Sequence, residues 1–204
     1  MSRRSWWQEN RLWLAVLPLC LAAAAAASSY NVERLWYRQG LHHEVAHAEQ
    51  NRWLEVHQPY EDAVGRTSRT FEVRLRGTDP TALWPYELDG PRTPPEGVDA
   101  VVAYLDWSAL PDQQLVGCYL ALEDDDGRRY ETTVADSSDL CTPDERPGPS
   151  FPDRDADQRP AVPAEEARPR VWSTAPVFLV PKGRRITGLL MSWGTPDYVR
   201  ISVS

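Results

Sequence analysis

The stretch Thr70-Phe71-Glu72-Val73-Arg74-Leu75 alternates apolar and polar side chains and indicates which fold the chain adopts. Successive side chains of a β-strand point to opposite faces of the sheet, so this alternation predicts a half-buried strand with one charged face in water. The C-terminal residues Val199-Arg200-Ile201-Ser202-Val203 repeat the pattern. Both stretches are therefore predicted to be β-strands.

Between and before these two stretches lie further strand signals. Runs richer in apolar residues predict more central strands at 101–107, 115–122, 171–180 and 186–193. Asp126-Gly127 predicts a hairpin turn that leads into a strand at 128–134, since both residues tolerate positive φ. Residues 53–56 are expected to open the sheet. About eight strands separated by turns predict two packed antiparallel sheets, a β-sandwich, over residues 52–204.

Eighteen prolines exclude a mainly helical bundle, because each removes a backbone donor and disrupts a helix interior. Most of them fall in two connections. Residues 78–98 predict a long connection between strands. Residues 136–170 combine prolines with many acidic residues and arginines, a composition that buries little apolar surface, and predict a mobile loop.

The order of strands resembles the telokin-like, immunoglobulin-like domains that exported bacterial proteins carry on membrane anchors or lipoprotein signals. The resemblance rests on residues 70–75, on Val177-Phe178-Leu179-Val180-Pro181-Lys182-Gly183 and on residues 199–203, and it covers roughly residues 52–204. It implies an immunoglobulin-like sandwich that serves as a binding or assembly module, with no catalytic residues to transfer.

Residues 12–32, LWLAVLPLCLAAAAAASSYNV, contain no charged side chain. As a helix, 21 residues span about 31 Å, close to the ~30 Å thickness of the hydrocarbon layer. Three arginines precede this stretch within the predicted cytoplasmic tip, residues 1–11, and aromatic residues flank both of its ends. These features predict a single-pass signal anchor in the cell membrane, with the N-terminus in the cytoplasm and the bulk of the chain outside. Residues 33–51 are expected to form a polar, membrane-proximal linker or helix.

An alternative interpretation is a cleaved signal peptide, because Ala25-Ala26-Ala27 before Ser28 fits the small-residue cleavage rule. The protein would then be secreted. The formal net charge of −8 argues in either case against a nucleic-acid partner, which would require a basic face.

Cys118 and Cys141 are the only cysteines after the apolar segment, which holds Cys20. Outside the cytoplasm such a pair usually oxidises, so a Cys118–Cys141 disulfide is predicted, with two unpaired buried thiols as the alternative.

One motif could carry chemistry. His43-Glu44-Val45-Ala46-His47 matches the zinc-peptidase pattern, in which two histidines on one face of a helix bind Zn²⁺ and the glutamate activates water. Glu49 stands where that helix should be apolar, and no third ligand has a recognised spacing. A polar segment without metal is therefore favoured over a site made of His43, His47 and Glu44.

The leading hypothesis is thus a membrane-anchored binding or assembly module, not an enzyme, with no cofactor and with a membrane or envelope protein as partner. The alternatives are a membrane-tethered zinc peptidase and a secreted protein that binds a small ligand among its tryptophans. Core packing is favoured over a groove for the tryptophans of the β domain, which are Trp53, Trp84, Trp107, Trp172 and Trp193. The acidic run 123–127 is expected to be a turn, with weak cation binding as its alternative.

Overall fold

The structure, a computed structural model, describes residues 3–32, 40–81, 93–132, 140–159, 163 and 166–204. Within these residues, one helix precedes ten strands. Their bounds are α1 Arg3–Val32, β1 His43–Glu49, β2 Leu54–Asp62, β3 Gly65–Thr81, β4 Val98–Ala109, β5 Tyr119–Asp124, β6 Arg129–Glu131, β7 Val171–Thr174, β8 Val177–Pro181, β9 Ile186–Gly194 and β10 Asp197–Ser202.

The strands form two sheets. The first has the order β1-β10-β9-β5-β6, and the second has the order β2-β3-β4-β7, with β8 also paired to β4. Apolar side chains of both sheets share one core, which contains Phe71, Val73 and Trp107 from the second sheet and Leu120 and Met191 from the first. The predicted β-sandwich is therefore confirmed.

The alternation that predicted β3 has the expected effect on burial. Phe71, Val73 and Leu75 are at most 1% exposed, whereas the intervening Glu72 is exposed. The predicted hairpin is also present: β5 and β6 pair antiparallel, and Gly127 in the turn has a φ of 75°. Such a φ is costly for residues with a Cβ, so the glycine is needed there.

Residues 43–49 correct the prediction of a linker or helix over 33–51, whose first part, 33–39, lies outside the described residues. They form β1, which runs parallel to β10. The amides of His42 and His43 begin this pairing by donating to the carbonyl oxygen of Pro196. The sandwich therefore includes this segment, and it is not purely antiparallel.

Two predicted strands have different limits in the structure. Residues 171–180 are split into β7 and β8, because Pro176 has no amide to donate to the ladder with β4. The strand predicted at 115–122 begins only at Tyr119, after Gly117 with a φ of 77°.

The proline-rich segment 136–170 has no strand or helix in its described part, and many of its described residues are exposed, but Arg168 fixes part of it to the sandwich. Arg168 is 1% exposed, and its guanidinium donates to the carbonyl oxygens of Pro147, Leu110 and Gln113 at 2.8–3.0 Å. One buried side chain thus fastens three parts of the chain together. Residues 136–139, 160–162 and 164–165 of this segment lie outside the described residues.

α1 is a continuous helix that includes Pro18. The side chains of its last seven residues, 26–32, are outside the described part. In the part of the chain that is described, no helix combines the length and the apolar character needed to cross a membrane.

Candidate functional site

The zinc-peptidase motif lies on a strand and not on the helix that its chemistry requires. His43 and His47 are both in β1. Four residues of a strand span about 13 Å, whereas the same spacing on a helix brings two side chains together. Within the described residues, no three histidine, cysteine or carboxylate side chains are grouped so that they could hold a metal. The helical zinc site, which the sequence offered only as the disfavoured alternative for His43, Glu44 and His47, does not match this strand geometry.

These side chains instead link β1 to β10. His43 Nδ1 lies 2.8 Å from Asp197 Oδ1, and the Tyr198 hydroxyl donates to Glu44 Oε2 at 3.3 Å. His47 Nδ1 lies 3.0 Å from Glu44 Oε1, and its Nε2 lies 2.9 Å from Ser202 Oγ. The polar side chains of the motif thus connect two strands that are far apart in sequence.

The order Ser202–His47–Glu44 is that of a hydrolytic triad, but the surroundings do not suit acyl transfer. An acyl-transfer site needs free amides near the nucleophile to stabilise an oxyanion. The amides of Val203 and Ser204, which follow Ser202, donate to Thr187 O and to Gln50 Oε1. Glu49 Oε1 also lies 3.7 Å from His47 Nε2 and competes with the hydroxyl for it.

The predicted disulfide is present. Cys118, just before β5, is bonded to Cys141. The Trp172 indole donates to Cys141 O at 3.0 Å, and its ring stacks on Trp107 with 6.2 Å between centroids. The bridge therefore connects the proline-rich segment to the first sheet, beside aromatic rings of the second.

The acidic run 123–127 forms the end of β5 and the hairpin turn that follows it, where a turn was predicted, and Asp124 organises this turn. Its Oδ1 accepts from the amides of Asp126 and Arg128 at 3.0 and 2.8 Å, and its Oδ2 accepts from the Tyr130 hydroxyl at 2.7 Å. Burial raises the pKa of Asp124, but these hydrogen bonds outweigh it, and the net pKa is lower than that of an ordinary aspartate. The Asp124 carboxylate therefore accepts its hydrogen bonds from groups of the protein itself.

A cleft of about 360 Å³ opens on the first sheet. Its walls come from four separate parts of the chain: residues 40–41 before β1, residues 117–119 at the start of β5, β6, and the end of β9. The lining residues are Gly40, Leu41, Gly117, Tyr119, Arg129, Glu131, Ser192, Trp193, Gly194 and Thr195. This volume is in the range of small-molecule sites, about 300–1,000 Å³.

Two charged side chains, Arg129 and Glu131, line this cleft, and within the described residues only Arg129 has an ion-pair partner. Arg129 Nε lies 3.5 Å from Glu123 Oε2, and Arg129 Nη2 donates to Leu41 O at 3.3 Å. Glu131 accepts a hydrogen bond from the Tyr119 hydroxyl at 3.1 Å and has no basic side chain within ion-pair distance in the described part. Burial and the Glu131 carboxylate raise the pKa of Tyr119 to about 12, so it stays a neutral donor. The cleft thus places the Glu131 carboxylate, which has no ion-pair partner among the described residues, beside the aromatic residues Tyr119 and Trp193.

The tryptophans divide between core and surface. Trp107 and Trp172 are buried in the core, as favoured by the sequence, while Trp193 packs against the core and also lines the cleft. Trp53 is 44% exposed, and Trp84 lies outside the described residues. No sequence signal located the cleft, because its lining residues come together only when β1, β5, β6 and β9 assemble.

No family model and no curated protein matches this sequence. Among solved structures, the chain is similar to an uncharacterized beta-sandwich protein from Clostridium difficile 630, with 8% identity, a TM-score of 0.42, and coverage of 80% of this chain and 97% of that one. It is also similar to a conserved hypothetical protein from Bacillus anthracis, with 11% identity, a TM-score of 0.36, and coverage of 75% and 96%.

Proposed function

We propose that this chain is a membrane-anchored, extracytoplasmic binding module that takes a small organic cation in the cleft lined by Tyr119, Glu131 and Trp193. The observation that carries the proposal is the cleft itself, which combines a suitable volume with convergent aromatic and polar groups. The sandwich around it is proposed to be immunoglobulin-like, as its resemblance to telokin-like exported domains implies. The role is that of a binding protein, not of an enzyme.

A cation is the ligand class that the charges of the cleft favour. Glu131 supplies a carboxylate without an ion-pair partner among the described residues, whereas Arg129 is already paired with Glu123. Aromatic rings attract cations through their negative faces, and a desolvated contact of this kind contributes about 2 kcal/mol. A small amine or quaternary ammonium ion therefore fits Tyr119, Trp193 and Glu131 better than an anion does.

Support for the anchor comes from the N-terminal segment. Residues 12–32 carry no charge, and α1 continues through them. Seven of the exposed large apolar side chains in the described residues are on α1, namely Trp6, Leu12, Trp13, Val16, Leu17, Leu19 and Leu21. Exposed apolar surface of this kind is typical of a segment that contacts a membrane or another protein.

The cleft is tested by titrating the full chain, purified in a non-ionic detergent, with tetramethylammonium, choline and putrescine while thermal unfolding is recorded. We expect saturable stabilisation by at least one cation and at least tenfold weaker binding in Glu131→Gln. Glu55→Gln, which neutralises an exposed acid of β2 in the other sheet, is the matched control and should bind normally. Equal binding by Glu131→Gln, or no saturable response to any of these cations, would refute the cationic ligand.

The anchor is tested separately by fractionating cells that express the chain with a C-terminal epitope tag. We expect the full-length chain in the membrane fraction, resistant to extraction at alkaline pH. A mature protein that begins at Ser28 and is found in the medium would replace the anchor with the secreted alternative, and it would leave the cleft untouched. The predicted membrane or envelope protein partner is tested by cross-linking and pull-down of the anchored chain.

A further inference from the structure

Arg69 is a buried cation inside the sandwich. It lies on β3 opposite Gln58 of β2 and is only 2% exposed. Its guanidinium carbon lies 4.1 Å from the centre of the Tyr60 ring and 5.3 Å from that of Trp193. The charged group is therefore held between an aromatic ring of each sheet.

Two of the three guanidinium nitrogens of Arg69 have no hydrogen-bond partner among the described residues. Arg69 Nε and Nη1 are buried without a hydrogen-bond partner, and no carboxylate of the described residues lies within 4.0 Å of the side chain. Burial lowers the pKa of Arg69 to about 10, so the group is still charged at neutral pH. Aromatic faces attract the charge but cannot accept its N–H donors in the way that an oxygen does.

Arg168 is the other buried arginine of the described residues. Its hydrogen bonds show how this protein satisfies the donors of a guanidinium that has a structural role. It is equally buried and also stacks on a tryptophan, Trp172, at 4.6 Å. Three backbone carbonyls accept from its two terminal nitrogens, and only its Nε lacks a partner. Among the described residues, no such set of acceptors surrounds Arg69.

A second buried polar group belongs to the same end of the sandwich. Gln114 is 6% exposed, and neither polar atom of its side-chain amide has a hydrogen-bond partner in the part of the chain that the structure describes. Its neighbours fix its place: Gln113 Oε1 accepts from the amide of Thr70 at 2.7 Å, and Leu115 O accepts from the Trp193 indole at 2.8 Å. Residues 113–115 therefore contact β3 at the position next to Arg69, and they also contact the Trp193 side chain, whose ring faces Arg69.

We propose that Arg69, with Gln114, forms a buried site for a small oxyanion, a carboxylate or a phosphoryl group, at this end of the sandwich. An oxyanion supplies both the negative charge and the oxygen acceptors that the guanidinium lacks, and charge-assisted hydrogen bonds to arginine are the strong ones. The Gln114 amide adds a neutral donor. This site does not depend on the cation cleft, with which it shares only Trp193.

The test titrates the full chain in non-ionic detergent with formate, acetate, phosphate and sulfate, with sodium chloride adjusted to keep the ionic strength constant. Thermal unfolding and tryptophan fluorescence are both followed, because Trp193 lies close to the guanidinium. We expect saturable stabilisation by at least one of these anions. A response to formate and acetate alone assigns a carboxylate ligand, and a response to phosphate and sulfate alone assigns a phosphoryl ligand.

Arg69→Met removes the charge at similar volume and should weaken anion binding at least tenfold. Arg66→Met is the matched control, because it removes the same charge from an exposed position of the same strand, and it should bind normally. Gln114→Leu, which leaves Arg69 in place, should weaken binding severalfold and serves if Arg69→Met does not fold. An unchanged response in these two site variants, or no saturable response of the unsubstituted chain to any of the four anions, would overturn the proposal.

Discussion

Replacing Cys118 and Cys141 together with alanine is expected to destabilise the sandwich by several kcal/mol. The bridge joins residues 23 apart in sequence. In the chain-entropy model, closing a loop of this length lowers the entropy of the unfolded chain by about 11 cal/mol/K, which corresponds to about 3.4 kcal/mol at 25 °C. Because Cys141 is fully buried and Cys118 is 7% exposed, lost sulfur packing adds to this value.

The assay is equilibrium unfolding in urea of the full chain in non-ionic detergent, followed by tryptophan fluorescence. The double variant should unfold at a lower urea concentration, and reducing the unsubstituted chain should have a similar effect. Cys20→Ala is the matched control, since it removes the free cysteine of α1 and leaves the bridge intact. A loss below about 1 kcal/mol would refute the reasoning. It would mean that other contacts, such as the hydrogen bond from the Trp172 indole to Cys141 O, already restrain the proline-rich segment 136–170.

Substitutions at three further positions test the packing, the electrostatics and the backbone strain of the fold. Arg168→Met leaves three backbone carbonyls without their donor and should cost more than about 3 kcal/mol in urea unfolding; a loss below about 1 kcal/mol would contradict the role assigned to this side chain. Asp124 has a lowered pKa, so the stability from its charge is present above pH ~4 and is lost as the pH falls through its folded-state pKa. Unfolding free energy measured between pH 5 and 2.5 should therefore fall less steeply in Asp124→Asn, and parallel curves for the two proteins would contradict this. Asn51 has a φ of 65°, so Asn51→Val should lower thermal stability, by about 1–2 kcal/mol, while Asn51→Gly should not; equal effects of both would exclude backbone strain as the cause.

Residue alternation predicted the strands well where one face of a strand is buried in the common core. Phe71, Val73 and Leu75 are inside as the pattern requires. The same alternation, followed towards the N-terminus of β3, places Arg69 on the inner face. The charge of an arginine would by itself suggest an exposed position. β1 was missed because its sequence is dominated by histidine and glutamate, and only its two alanines are partly buried.

The candidate sites were harder to predict than the strands. The His43-Glu44-Val45-Ala46-His47 pattern assumes a helix, and pairing with β10 makes it a strand. The cleft residues Tyr119, Glu131 and Trp193 lie on β5, β6 and β9. Because β5 lies between β9 and β6 in the sheet, the order of the strands decides that these residues meet.

By itself, the sequence determined that residues after the N-terminal segment form a β-sandwich, because side-chain alternation is a local property of the extended backbone. It also determined the Cys118–Cys141 pair, since no other cysteine follows the apolar segment. Only the tertiary structure decided that β1 lies beside β10, that a cleft opens beside Trp193, and that Arg69 is enclosed by both sheets. Each of these depends on which distant segments meet, and that is set by the packing of the whole core.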